Sequence, residues 1–206
     1  MVLQDSLVRR AKTEVKLDLD LLLLTIFSCL VACYGIKLDN IFVIIGSMLV
    51  SPLFDPIVAM VVFAKRRMKT EFFLALKSFS IAMIAAISAC LLFWSVVVSL
   101  GGDIAYSTTI RSVTVDSFFL AVILGVVGSF IWIWPKSSNS AAGVAIAVSL
   151  VPPIALLALA IVTSPSLILY YSTILFYNIA GIFIGSYLVM ILNDKNLHVL
   201  ENILEK

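Results

Sequence analysis

Residues 47–56 read SMLVSPLFDP and place two prolines and an aspartate inside a very apolar part of the chain. Ser47, Ser51 and Asp55 recur every four residues, a spacing that would align them along one side of a helix. Proline has no amide hydrogen and therefore kinks or breaks a helix when it lies in its interior. The decapeptide predicts an interrupted helix with polar side chains close to the interruption.

The composition around this stretch is that of an integral membrane protein. Of the 206 residues, 62% are hydrophobic and 13% are charged, whereas a soluble domain is about half apolar and about one quarter charged. The net charge is only +2, and no basic patch is interleaved with aromatic residues. The composition predicts a lipid bilayer as the surroundings of the chain and gives no indication of nucleic-acid binding.

Six apolar segments have the length of about 20 residues that a transmembrane helix needs, so we expect an all-α, polytopic membrane protein. Lysine and arginine concentrate on the side of the membrane that the two termini share in a six-span topology. Since such residues favour the cytoplasmic side, we expect a multi-pass protein of the cell membrane with both termini in the cytoplasm. The expected spans are about 19–36, 41–64, 72–100, 115–134, 141–163 and 166–192.

Two similar motifs lie at matching positions in the two halves of the chain. SMLVSPL (47–53) and VSLVPPI (148–154) align with an offset of 101 residues, which pairs Pro52 with Pro153. Each motif lies in the middle span of a set of three, and an odd number of spans makes the two halves insert in opposite directions. The sequence predicts two inverted three-helix repeats, each with a second helix that is broken by proline.

This topology divides the chain into five parts. The first is amphipathic, and the two repeats are separated by a loop on the external side. The parts are a cytoplasmic N-terminal arm (1–18), the first repeat (19–100), the external loop (101–114), the second repeat (115–192) and a cytoplasmic C-terminal tail (193–206).

The broken helices are the predicted site. Backbone groups that proline frees must face protein or a water-filled cavity inside a bilayer, and paired broken helices are typical of binding sites near the midplane. An ionised Asp55 near the middle of a span costs roughly 2.5–3.5 kcal/mol, so we expect it to be protonated or to have a partner; Arg111 is one candidate. The predicted ion, proton or small-solute route comprises Ser47, Ser51, Pro52, Asp55, Pro56, Ser149, Pro152, Pro153 and Asn178.

Small residues recur at helical spacing in two of the spans. Gly181 and Gly185 form a small-xxx-small pair, and Ala82 and Ala86 form a similar smooth face. Such faces allow close helix packing, either within one chain or between copies. Six spans are few for a self-contained carrier, so we expect a homo-oligomer.

Residues that would support catalysis or metal binding are few. Cys29, Cys33 and Cys90 lie in apolar runs, and the single histidine, His198, lies beyond the last predicted span. A serine hydrolase would lack its base, an aspartyl protease would lack a second deep carboxylate, and no glycine-rich phosphate loop is present. We expect no enzyme activity, no metal and no cofactor.

The motifs resemble those of a prokaryotic membrane-protein family known as domain of unknown function 389. The similar stretches are IFVIIGSMLVSPLFDPIVAM (41–60), GVAIAVSLVPPIALLALA (143–160) and LFYNIAG (175–181), within a resemblance over about residues 19–192. Asp55 departs from the pattern, which often has a small or uncharged residue there. The resemblance implies a fold and no activity. The matching residues are Gly46, Ser47, Met48, Pro52, Leu53 and Pro56, then Gly143, Val144, Ala145, Ile146, Ala147, Ser149, Pro152 and Pro153, followed by Asn178.

Two functions are compatible with these patterns. The first is a membrane transporter or channel subunit of unknown substrate, whose route passes the two broken helices. The alternative is an oligomeric membrane scaffold or sensor, in which the proline kinks serve packing alone.

Overall fold

The computed structural model describes residues 2–101, 115–133 and 150–204, and within them the side chains of residues 6–101, 117–133 and 150–193. All regular structure in these ranges is helical. The α-helices are α1 Val2–Glu14, α2 Leu19–Lys37, α3 Ile41–Met48, α4 Phe54–Lys65, α5 Lys69–Ser99, α6 Val115–Ile133, α7 Val151–Thr163 and α8 Ile168–Leu204, with a 3₁₀ turn Pro165–Leu167 before α8.

Three apolar segments are long enough to cross a membrane: Leu19–Lys37, Lys69–Ser99 and Pro165–Asn193. They coincide with the first, third and sixth predicted spans. Ser117–Ile133 and Val151–Thr163 are shorter apolar helices. The described residues are thus all helical, as predicted, and three of their helices have the length and apolar character of membrane spans.

The second predicted span is divided into two short helices. α3 ends at Met48, α4 begins at Phe54, and the residues between them are not helical. Ser47 belongs to α3, Ser51 to the break and Asp55 to the first turn of α4. The predicted interruption is present, and it separates these three side chains, which would form one line only on a continuous helix.

The last helix extends beyond the sixth predicted span. α8 continues to Leu204, into the predicted tail (193–206), while its apolar segment ends at Asn193, close to the predicted end near 192. The asparagine, aspartate and lysine at 193–195 do not stop the helix, since none of them breaks it as proline does. Most of the expected 101–114 loop, the first part of the fifth span and Ser149 lie outside the described residues.

The N-terminal arm is a helix that packs on the bundle. α1 contacts α4, and its residues Leu7 and Ala11, together with Val15 just after it, are buried at intervals of four. The Ser78 hydroxyl of α5 donates a 2.8 Å hydrogen bond to the Val15 carbonyl oxygen. The amphipathic character that the sequence predicts for the arm thus corresponds to a face buried against α4 and α5.

α4 and α7, the two helices that begin at the proline motifs, form the centre of the core. All residues of 56–63 in α4 and of 151–160 in α7 are buried. α5 packs against α2, α4 and α7, and its fully buried Trp94 donates a 3.0 Å hydrogen bond from Nε1 to the Ala155 carbonyl oxygen of α7. Ala82 and Ala86 of α5 have no exposed surface, so this smooth face serves packing within the chain.

α6 and α8 approach each other closely because glycine lies on both sides of their contact. A Cβ atom on Gly181 would lie 2.7 Å from the Ala121 Cβ atom, and one on Gly125 would lie 2.6 Å from the Ile182 carbonyl oxygen. A Cβ atom on Gly185 would overlap the Val122 carbonyl oxygen. The predicted small-xxx-small pair is therefore used inside one chain, with Gly125 as its counterpart.

We expect Gly185→Ala to destabilise the protein by about 1–3 kcal/mol, the usual range for overpacking, because the new methyl group would meet backbone that cannot rotate away. Thermal unfolding in detergent, followed by circular dichroism, measures the change.

Gly46→Ala is the matched control, since a Cβ atom there has no neighbour within 4 Å. Replacing a helical glycine with alanine at an open position leaves stability unchanged or raises it by about 0.5–1 kcal/mol. Equal effects of the two substitutions would contradict the close α6–α8 contact.

Candidate functional site at the interrupted helix

The end of α3 is fixed by hydrogen bonds to backbone carbonyl groups. The Val50 amide donates to the Ser47 carbonyl oxygen at 3.2 Å, and the Ser28 hydroxyl of α2 donates to the same oxygen at 2.7 Å. The Ser47 hydroxyl donates to the Ile44 carbonyl oxygen at 2.6 Å. A carbonyl at the end of a helix lacks its partner inside the helix, so Ser28 stabilises the position at which α3 stops.

Ser51 lies in the break and has a different environment. It is 7% exposed, and among the described residues its hydroxyl has no hydrogen-bond partner. Leaving a buried polar group without a partner costs about 1–3 kcal/mol. Unsatisfied buried groups are rare in folded proteins and often have a functional reason or a bound water.

α4 begins without a side-chain cap. Its N-cap residue is Leu53, which is fully buried and has no side chain that can accept from the first-turn amides. Pro56 is in the first turn, where its missing N–H removes no internal hydrogen bond. Asp55 is also in this turn and places a negative charge near the positive end of the helix dipole.

α7 begins in the same way. Its N-cap residue Leu150 is fully buried and provides no side-chain cap, and Pro152 and Pro153 lie in the first turn. Val151 follows Phe54 by 97 positions, so aligning the helix starts pairs Leu53 with Leu150 and Pro56 with Pro153. This register differs from the offset of 101 that the motifs predict, because the shared feature is a leucine before the helix and a proline in its first turn.

The predicted site residues in the described ranges lie on helices that contact one another or in the break between α3 and α4. α7, which begins with Pro152 and Pro153, contacts α3, the helix that ends before the break. Asn178 is buried on α8, a helix that packs against both α4 and α7. Since the Ser51 hydroxyl has no partner among the described residues, Asn178 is not bonded to it.

Asp55 lies beside α1 and α6. Its half-buried carboxylate is within electrostatic reach of Arg10 and Glu14 and is next to the Trp132 indole. The Arg10 guanidinium donates a 2.8 Å hydrogen bond to the Trp132 carbonyl oxygen and stacks 4.7 Å from the centre of its ring. Its Nε atom lies 3.8 Å from a Glu14 carboxylate oxygen. The nearby cation is therefore Arg10, whereas the expected candidate Arg111 lies outside the described residues.

Arg10 is the site residue that sequence reasoning missed. The first 18 residues were expected to form an arm in the cytoplasm, and nothing in the local pattern indicates which helix an arm contacts. The signal that was available is the interval of four between Leu7, Ala11 and Val15, since an apolar stripe at helical spacing indicates a packed face.

The three cysteines lie at the contact between α2 and α5. Cys29, Cys33 and Cys90 are unpaired and have no exposed surface, and buried cysteine packs as a small apolar side chain. Within the described ranges, no group of three or more His, Cys, Asp or Glu side chains is arranged to hold a metal ion.

The break lies within the part of the chain that matches a known protein family. The sequence model of a family described as Domain of unknown function (DUF389) matches residues 48–184, about two thirds of the chain. The chain belongs to the DUF389 family. The DUF389 match begins at the last residue of α3 and ends within α8, so it contains the break and the starts of α4 and α7. No curated protein and no solved structure matches the chain.

We expect Arg10→Gln to destabilise this DUF389 protein by about 1–3 kcal/mol, because it removes a charged hydrogen bond and leaves two carboxylates near each other. The double variant with Asp55→Asn should lose less than the sum of the two single variants, since removing one acid relieves the repulsion that the first change creates. Thermal unfolding in detergent gives the coupling free energy.

Arg9→Gln, on the exposed side of the same helix, is the control and should change stability by less than about 0.5 kcal/mol. Strict additivity between positions 10 and 55 would show that Arg10 and Asp55 do not interact.

Proposed function

We propose that this protein is a membrane transporter or channel subunit whose route for an ion, a proton or a small solute passes the break between α3 and α4. The observation that carries the proposal is the Ser51 hydroxyl, which is buried and has no hydrogen-bond partner among the described residues. It lies in non-helical backbone, directly before the uncapped start of α4. Non-helical backbone at membrane depth is tolerated where it is buried in protein or lines a water-filled cavity.

The chemistry of the break suits a polar or charged solute. The first-turn amides of Phe54 and Asp55 have no partner inside α4 and point towards the break, where the Ser51 hydroxyl can donate or accept. The Asp55 carboxylate adds an acceptor that can also carry a proton. In known carriers, the ends of broken helices coordinate substrates and coupling ions in this manner.

The lengths of the helices support two related halves. α2 and α6 each have 19 residues, α4 and α7 have 12 and 13, and α5 and α8 have 31 and 37. In our proposal each half contributes one long first helix, one helix that starts at a proline motif and one very long third helix. The halves insert in opposite directions, both termini lie in the cytoplasm, and copies of the chain assemble as a homo-oligomer.

One observation favours the alternative of a scaffold or sensor. Pro56, Pro152 and Pro153 all lie in the first turn of a helix, where proline removes no internal hydrogen bond. These residues are therefore compatible with a role in packing alone. A scaffold would pass no solute, so flux measurements separate the two functions.

We expect Ser51→Ala to change solute flux and to leave stability unchanged or raise it by about 1 kcal/mol, since the variant removes an unsatisfied buried hydroxyl. Ser28→Ala is the matched control: it removes a buried hydroxyl that does have a partner and should destabilise the protein by about 1 kcal/mol. The measurements are thermal unfolding and flux through proteoliposomes loaded with probes for H⁺, Na⁺, K⁺ and Cl⁻, with vesicle swelling for small neutral solutes.

Flux that matches empty vesicles for every probe would overturn the transport proposal. If flux is present and Ser51→Ala leaves it unchanged while Ser28→Ala lowers it in proportion to folded protein, the route does not pass Ser51.

Asp55→Asn tests the charge at the start of α4 and should alter the flux of cations or protons at least several-fold, because it removes the negative charge beside the route. Asp20→Asn provides the control, since Asp20 is an exposed acid in the first turn of α2. Equal flux in the two variants would remove Asp55 from the route.

A further inference from the structure

A groove lies where α4 turns into α5. Its volume is about 280 Å³. Phe63, Met68, Phe72 and Phe73 form its apolar walls, and Arg67 and Lys69 also line it. Phe73 is 64% exposed, so the apolar wall continues onto the outer surface of α5.

The turn holds Arg67 in a conformation that suits glycine. Its φ is 55°, in the left-handed region that most residues avoid. The Met68 amide donates to the Phe63 carbonyl oxygen at 2.9 Å, and the Arg67 amide donates to the Ala64 carbonyl oxygen at 3.2 Å. This is a helix-ending motif in which glycine is the usual left-handed residue. Arginine is less favourable than glycine for this backbone conformation.

The two cations of the groove are not neutralised by nearby acids. Glu71, the acid closest in sequence, pairs with Lys12 of α1 at 3.1 Å, and Lys65 donates a hydrogen bond to the Met190 carbonyl oxygen. Arg67 and Lys69 are exposed, and in the part of the chain that the structure describes neither takes part in an ion pair. The groove thus combines two positive charges with an apolar floor.

We propose that this groove binds one anionic phospholipid, with its phosphate between Arg67 and Lys69 and the upper part of an acyl chain along Phe72 and Phe73. Basic pockets beside membrane helices attract anionic headgroups, and the exposed phenylalanine gives the chain an apolar path from the groove to the bilayer. This site lies at the α4–α5 turn, and its occupation does not depend on transport through the break.

Native mass spectrometry of the detergent-solubilised protein tests the proposal, with phosphatidylglycerol as the probe and phosphatidylcholine of the same chain length as reference. The wild-type chain should bind phosphatidylglycerol at least several-fold more tightly. Arg67→Gly and Lys69→Gln should each weaken this binding about five-fold, the factor that corresponds to about 1 kcal/mol for one basic residue at a membrane surface.

Arg67→Gly separates binding from folding, because glycine suits the left-handed position and should keep or raise the unfolding temperature. Lys77→Gln is the matched control: Lys77 is exposed on the same helix and does not line the groove, so its removal should leave the preference unchanged. Glycerol phosphate and inorganic phosphate serve as competitors that carry the anion without acyl chains, and neither should displace the lipid at equal concentration.

Three results would overturn the proposal. The first is equal binding of the two lipids by the wild-type chain. The second is a loss with Lys77→Gln as large as that with Arg67→Gly. The third is displacement of phosphatidylglycerol by inorganic phosphate at equal concentration, which would make the groove a site for the free anion.

Discussion

The structure depends on one constraint: a helix that stops inside an apolar bundle must find partners for the backbone groups it leaves behind. At the end of α3 this requirement is met in part. The Ser47 carbonyl oxygen accepts hydrogen bonds from the Ser28 hydroxyl and from the Val50 amide. In the same segment, the side-chain hydroxyl of Ser51 has no hydrogen-bond partner among the described residues. α2 lies beside α3, and α7 lies beside both; within the segment Ser51 and Leu53 are buried, whereas Leu49 and Val50 are exposed.

The sequence predicted the kinds of elements better than their contacts. Long apolar runs correspond to α2, α5 and α8 because hydropathy over about 20 residues is a direct measure of compatibility with a bilayer. The prolines at 52 and 56 correctly indicated an interruption. The extent of the interruption depends on capping. α4 begins after Leu53, a residue with no capping ability, so the sequence contains no marker for the start of this helix.

Partners that are distant in sequence could not be predicted for a different reason. Gly181 and Gly185 indicated a close contact, but only the fold shows that the opposing glycine is Gly125 and that the contact lies within the chain. In the same way, local periodicity does not show which charged groups lie near position 55, whether on α1 or in a distant loop. The structure places Arg10 and Glu14 within electrostatic reach of Asp55 because α1 packs on α4.

The glycine contact between α6 and α8 has a mechanical consequence. At this contact backbone atoms of the two helices meet directly, with no layer of side chains between them. The helices therefore cannot slide past each other unless they first separate. α6 and α8 therefore move together as one rigid body in any conformational change. The α5–α7 contact is fastened by a hydrogen bond from the Trp94 side chain, and side chains can change rotamer. The α5–α7 contact therefore has a freedom of adjustment that the α6–α8 contact lacks.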